Sequence, residues 1–181
     1  MSNRVYKCDL STEGIKNVIA QLKFYADVQL PEIADTIVRR LAELGIKVAE
    51  YSVYGDWRQL IEFRYEPLGE GQGELIGEDI TVVHRIWYTK GGAVAGEADI
   101  SPLLMSEYGA GSYALAGHRG TFPDQKHAFQ QEWFWYDASG IKHSSEEDYH
   151  IIATQPMYRA LTAMMMNAQK VAREVCRSYG G

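Results

Sequence analysis

The stretch PMYRALTAMMMNAQKVAREV, residues 156–175, decides the fold class of this chain. Its apolar side chains return every three or four residues, which is the spacing of one face of an α-helix. Pro156 opens the stretch and suits the first turn of a helix. We therefore predict a long C-terminal helix whose apolar face, including its methionines, packs in the core. That face comprises Met157, Leu161, Met164, Met165, Ala168, Val171, Ala172 and Val175.

The beginning of the chain also has helical periodicity. Ser11 and Thr12 are helix-capping residue types at the start of a first apolar stripe. Pro31 interrupts or restarts the pattern, and Gly45 directly follows a second stripe, as expected just after a helix. The pattern predicts a helical hairpin or one kinked helix over the first quarter of the chain. The two stripes are Ile15, Val18, Ile19 and Leu22, and Ile33, Ile37, Leu41 and Leu44.

Between the helical regions the sequence is typical of β-structure. Strand-prone residues are spread over 48–65, the clearest strand is 80–89, and another apolar segment covers 95–108. The acidic, glycine-rich stretch 69–79 is predicted to be a connection, with a flexible turn at 69–73. A second glycine-rich stretch, 109–121, leads towards the last strands.

An aromatic strand and a hairpin turn precede the final helix. The strand is predicted at Trp133-Phe134-Trp135-Tyr136, and Asp137-Ala138-Ser139-Gly140 is predicted to turn the chain into 141–143. The order of helices, strands and one long helix indicates an α+β fold. We expect N-terminal helices and a long C-terminal helix packed on an antiparallel or mixed β-sheet, in one domain over residues 1–181.

Composition excludes several classes of protein. The net charge of −6 argues against a surface that grips nucleic acid, because such surfaces need clustered Lys and Arg. The first ten residues lack the apolar run of a signal peptide, and no stretch suits a transmembrane helix. Cys8 and Cys176 cannot form a disulfide framework. We expect a protein without a membrane span, made in a cytosol with reduced thiols.

The sequence contains no clear catalytic motif. GEGQG at 69–73 is not followed by the Lys of a P-loop, and its third glycine is at the wrong spacing for a dinucleotide site. The motif GxSxG is absent. We therefore expect a protein that is not an enzyme and has no cofactor. One alternative is a metal-dependent hydrolase that uses His143, Glu147 and His150, although HSSEEDYH lacks the register of a zinc helix. Another is a DNA-binding accessory protein.

Three segments in order resemble a known family. They are ISPLLMSEYGAG at 100–111, WFWYDASG at 133–140 and TQPMYRAL at 154–161. After an N-terminal helical region, this set resembles the tail-component family of long-tailed bacteriophages, whose proteins are head–tail connector or tail-completion proteins of the neck. In that family, an apolar strand ends in Glu, an aromatic residue, Gly, Thr and Gly. Ala110 stands here in place of the Thr.

The resemblance implies a structural virion protein at the head–tail joint, made in the cytoplasm of the bacterial host. It implies a sixfold ring that contacts other neck and tail proteins and lets DNA pass without binding it specifically. A tail terminator or a head-closure subunit of the same virion is the alternative. The implied motif and interface residues are Glu107, Tyr108, Gly109, Ala110, Gly111, Trp133, Trp135, Pro156 and Met157.

Parts of this motif also have a local structural interpretation. Gly109 and Gly111 permit backbone conformations that other residues resist, so the loop can leave the predicted strand sharply. Glu107 and Tyr108 are expected at the end of that strand. The glycine-rich loops 69–77 and 109–120 are the candidates for contacts between neighbouring subunits of a ring.

Overall fold

A long helical run begins the fold in a computed structural model that describes residues 12–53, 55–109, 114–115, 134–144 and 152–179. The run consists of α1 (Thr12–Phe24), a π-helical segment (Tyr25–Gln29) and α2 (Leu30–Ser52). Pro31 lies in the first turn of α2, where the missing N–H of proline costs least. Of the two predicted forms, the structure has one interrupted helix rather than a hairpin.

Gly45 does not end a helix, as the sequence predicted, but lies buried inside α2. A Cβ atom at this position would stand 2.9 Å from Met164 Sδ and 3.0 Å from Leu75 Cδ2. The glycine therefore allows close packing rather than termination. Because α2 continues to Ser52, Val48 and Tyr51 are helical, and their assignment to a strand was wrong.

The stretch 69–79, predicted to be a connection, is mostly a strand, although its first residues do form a turn. A short 3-10 helix (Gly55–Leu60) leads into β1 (Ile61–Gly69), which pairs antiparallel with β2 (Gln72–Asp79). Residues 69–71 form the tight turn, with positive φ angles at Gly69, Glu70 and Gly71. Within β2, a Cβ atom at Gly77 would lie 3.0 Å from Met157 Sδ, so the glycine makes room for a side chain of the last helix.

A second, four-stranded sheet has the order β4-β3-β5-β6, and all neighbouring strands are antiparallel. Its strands are β3 (Val83–Tyr88), β4 (Val94–Ile100), β5 (Phe134–Tyr136) and β6 (Lys142–Ser144). This sheet confirms the predicted strand within 80–89 and the predicted hairpin after Tyr136. The fold is α+β, as expected, with antiparallel sheets.

Two further helices complete the described fold. α3 (Pro102–Tyr108) directly follows β4, and α4 (Pro156–Tyr179) is the long C-terminal helix predicted from the sequence. The segment 95–108 was expected to be extended throughout, but it becomes helical after Ser101. The reason is local: Ser101 caps the helix through its side chain, and Pro102 occupies the first turn.

α4 runs antiparallel to α2. The hydroxyl of Thr36 lies 3.2 Å from that of Tyr179, whereas Gly45 meets Met164 further along both helices. The main core comprises Ala49, Val53, Ile61, Phe63 and Ala160, and a smaller core comprises Ile100 and Met105. Trp57 packs against both cores and so joins the helix pair to α3 and the larger sheet.

The expectation that the whole apolar face of α4 lies in the core is wrong for Leu161 and Met165. Leu161 is 51% exposed and Met165 is 71% exposed. At 100° per residue, they are turned by roughly 100° and 140° from Ala160, which is fully buried against α2. The apolar stripe is wider than the surface that packs on it. In the described part of the chain, no helix has the length and apolar character needed to cross a membrane.

Candidate interaction site at the junction of α3 and α4

The start of α3 is held by the end of β2. Asp79 is the last residue of β2, and its Oδ1 accepts the backbone N–H of Leu103 at 2.8 Å. The hydroxyl of Ser101 donates to Asp79 Oδ2 and accepts the backbone N–H of Leu104 at 3.1 Å. These bonds satisfy helix N–H groups that have no partner within the helix. The short helix is therefore fixed to the smaller sheet.

The end of α3 in turn caps the start of α4. The backbone N–H of Met157 donates to Glu107 Oε2 at 2.9 Å, and that of Tyr158 donates to Glu107 Oε1 at 3.2 Å. A carboxylate at a helix N-terminus is also stabilised by the helix dipole. Glu107 and Tyr108 thus lie in the last turn of α3, and not at the end of a strand as predicted. We call this arrangement of Glu107 with Met157 and Tyr158 the capped junction.

Ser106 reinforces the capped junction through its backbone carbonyl. That oxygen accepts the backbone N–H of Thr154 at 2.8 Å, the backbone N–H of Gln155 at 3.1 Å and the hydroxyl of Thr154 at 3.2 Å. Gln155 has a positive φ of 53°, a backbone conformation that costs free energy in a residue with a side chain. The bonds to Ser106 hold the chain in this turn immediately before Pro156, which begins α4 as predicted.

Gly109 ends α3 in the conformation that its residue type predicted. Its φ is 77°, and its N–H donates to the carbonyl of Met105 at 2.8 Å. Glycine is the usual residue at a position of positive φ directly after a helix, because it has no Cβ atom to clash with the backbone. The chain does turn at Gly109, but it leaves a helix there and not the strand from which the exit was predicted. Ala110 and Gly111 lie outside the described residues.

Met157 ties the capped junction to the β1–β2 hairpin. It packs beside the main core, and its sulfur occupies the space left by Gly77 next to Phe63. Pro156 is fully buried. Of the motif residues inferred from the sequence, the structure thus brings Glu107, Pro156 and Met157 into one unit.

Trp135 lies apart from the capped junction, in β5 of the larger sheet. Its ring stacks on that of His143 in β6, with centroids 5.6 Å apart and an interplanar angle of 16°. Trp133 lies outside the described residues. The aromatic hairpin therefore forms a second local cluster, linked to α3 through β3 and β4.

Asp137 organises the turn of this hairpin. Its Oδ1 accepts the backbone N–H groups of Ser139 at 2.8 Å and Ile141 at 2.9 Å, and its Oδ2 lies 3.3 Å from His143 Nε2. The bond from Ile141 is the main cause that lowers the pKa of the Asp137 carboxyl, and the bonds from His143 and Ser139 act in the same direction. Desolvation by burial acts against this shift.

The described residues do not form the metal site of the alternative hypothesis. His143 faces Asp137 and Trp135, and Glu147 and His150 lie outside the described residues. Within the described ranges, no group of three or more His, Cys, Asp or Glu side chains could hold a metal ion. The glycine-rich stretch 69–77, a candidate for ring contacts, is a tight turn followed by a paired strand, and most of 109–120 lies outside the described residues.

Two features of the site were missed from the sequence. One is the capping role of Asp79 and Ser101, for which the Ser-Pro step at 101–102 is a recognisable helix-start signal. The other is a set of large apolar side chains that remain exposed on α1 and α4, including Ile15, Ile19, Leu161 and Met165. Large exposed apolar patches are a common feature of sites that contact other proteins, membranes or ligands.

No protein-family model, curated protein or solved structure matches this chain.

Proposed function

We propose that this chain is a non-catalytic structural subunit at the head–tail joint of a tailed bacteriophage. Copies of it form a sixfold ring around the channel through which DNA passes. The observation that carries this proposal is the capped junction. Glu107 and Met157 are 50 positions apart, in the first and third of the segments that resemble the tail-component family. Their direct contact supports treating these separate segments as one structural unit.

Two properties of the surface support a role in assembly. Large apolar side chains are exposed on both α1 and α4, where another protein surface could cover them. The chain also carries a net charge of −6. An acidic channel wall repels the phosphate backbone, so DNA can pass without being held. The proposed partners are further copies of the chain and the neighbouring neck and tail proteins.

A nonsense codon at Ser11 in the parent phage or prophage tests the proposal. The lysate is examined by negative-stain electron microscopy. The proposed role predicts DNA-filled heads beside separate tails of normal length. Tails of abnormal length would indicate a tail terminator, and heads that have lost their DNA would indicate a head-closure subunit. Normal joined particles would contradict the proposal.

A further inference from the structure

The long helical run changes its hydrogen bonding directly before a proline. At the end of the π-helical segment (Tyr25–Gln29), the backbone N–H of Leu30 donates to the carbonyl of Tyr25, five residues earlier. In an α-helix such a bond spans four residues. Pro31 comes next in the chain. It has no N–H, and in a continuous α-helix its ring would clash with the carbonyl of Asp27. The wider π-helical turn gives this ring room, so the segment is the local consequence of Pro31.

The packed part of the helical run begins just behind the same proline. Of residues 13–32, all of which the structure describes, none is buried, and Ile33 is the first buried residue of the run. Further along, α2 packs closely against α4, where Gly45 meets Met164. The π-helical segment, Pro31 and the edge of the core thus follow one another within about two helical turns. Core packing holds α2 and does not extend to α1.

The π-helical segment and its flanks are exposed on more than one side. Phe24, Val28 and Leu30 are 56%, 48% and 44% exposed, and Pro31 is exposed as well. Positions 28 and 30 differ by roughly 200° around a helix, so these side chains point to opposite sides. Since neither side is buried in the core, a bend at the segment disrupts no core contact.

We propose that the π-helical segment is a hinge at which α1 swings as a rod against the packed part of the chain. Sharp bends in helices occur at prolines and at π-helical turns, because both interrupt the regular hydrogen bonds of the helix. Here the two interruptions are adjacent, and the part of the run in front of them has no buried residue from position 13 onwards. The hinge belongs to the single chain, so it does not depend on a role in a phage neck.

The length of α1 sets the size of the movement. Lys16 lies 11 residues before Asp27, the middle of the π-helical segment, which is roughly 16 Å along a helix. A swing of about 30° therefore moves Lys16 by roughly 8 Å. A displacement of this size is large enough to broaden a distance measured from Lys16 to a fixed point of the core.

The C-terminal end of α4 provides such a fixed point close to the proposed hinge. The hydroxyl of Tyr179 lies 3.2 Å from that of Thr36 and 3.3 Å from Glu32 Oε1. The end of α4 therefore lies beside the first turns of α2. Arg177 is exposed near this end, so a label attached there does not enter the core.

Distances between paired spin labels on the purified full chain measure the swing. The two native cysteines are first replaced with Ser, and Arg177→Cys carries one label in both pairs. The second label is on Lys16→Cys in the hinge pair and on Glu50→Cys in the matched control pair, and both positions are exposed. Along the run, Lys16 lies roughly 24 Å before Glu32 and Glu50 roughly 27 Å after it. The two pairs therefore span similar distances, one across the proposed hinge and one along the packed part of α2.

The hinge predicts that the distance distribution of the hinge pair is roughly twice as broad as that of the control pair. Pro31→Ala restores the missing N–H and removes the ring, so it should turn the segment into a regular α-helix. The width of the hinge pair should then fall to that of the control pair. Glu43→Ala, at an exposed position of α2, should leave both widths unchanged.

Two results of the distance measurement would overturn the proposal. Equal widths of the two distributions in the original chain would show that α1 is held as firmly as α2. A broad distribution of the hinge pair that Pro31→Ala does not narrow would show that the movement does not arise at the π-helical segment.

Hydrogen exchange distinguishes a swing of α1 from its melting. The hinge predicts that the backbone amides of residues 17–24 are protected to a similar degree in the original chain and in Pro31→Ala, because α1 stays helical as it swings. If these amides in the original chain exchange as fast as those of an unfolded chain, α1 melts and the hinge is refuted.

Discussion

Replacement of Glu107 with Ala should destabilise the protein through the start of α4. The change removes a carboxylate that accepts two backbone N–H groups, from Met157 at 2.9 Å and Tyr158 at 3.2 Å. Loss of a helix cap costs about 0.5–2 kcal/mol, and loss of the charge near the helix dipole adds about 0.3–1 kcal/mol. Because Glu107 is partly exposed, water replaces some of the lost bonding, and we expect about 2 kcal/mol in total.

Urea and thermal unfolding measure this effect. For a chain of this length, about 2 kcal/mol corresponds to a fall in Tm of roughly 4–8 °C. Glu107→Gln keeps the shape and one acceptor oxygen, so it should lose about half as much. Glu43→Ala, at an exposed position of α2, is the matched control and should stay within about 0.5 kcal/mol of the original chain. If Glu107→Ala also stays within that range, the capped junction does not stabilise the fold.

Three further changes test other parts of the structure. Gly45→Val should destabilise by about 1–3 kcal/mol in urea unfolding, because the new side chain meets Met164 Sδ; an unchanged midpoint would contradict the close packing. Val in place of both Gly109 and Gly111 should impair folding or assembly, since Gly109 has a φ of 77°; normal phage yield would refute this. The lowered pKa of Asp137 predicts a stability contribution that is present above the ordinary value of 3.8 and is lost as pH falls through the folded-state pKa. The difference in unfolding free energy between the original chain and Asp137→Asn should therefore shrink on acidification. A difference that does not change with pH would contradict this stability contribution of Asp137.

The parts of the fold that depend on local sequence signals could be predicted. Pro156 followed by a long helical periodicity marked α4, and Asp137 to Gly140 marked the hairpin between β5 and β6. In both cases the decisive side chains act on their own backbone or on that of close neighbours. Local chemistry of this kind can be read without knowing the rest of the fold.

The parts that depend on distant contacts could not be predicted. Gly45 led to the prediction of a helix end, because glycine is common just after helices. In the structure, a glycine is needed inside α2 because Met164 approaches closely. α3 comprises only seven residues, which is too short for a clear helical period. Glu107 was identified as a motif residue, but its capping role depends on a helix that begins about 50 residues later. The exposure of Leu161 and Met165 depends on which side of α4 packs against α2.

In vitro complementation tests the central claim most directly. Lysate from the phage with a nonsense codon at Ser11 is mixed with the purified chain, and joined particles and plaques are counted. If the chain is a structural subunit at the head–tail joint, the purified chain should restore joined, infectious particles. Their number should rise in proportion to the amount of chain added until the joining ends of the heads and tails are saturated. Separate heads and tails that remain unjoined at every concentration of the folded chain would contradict the account.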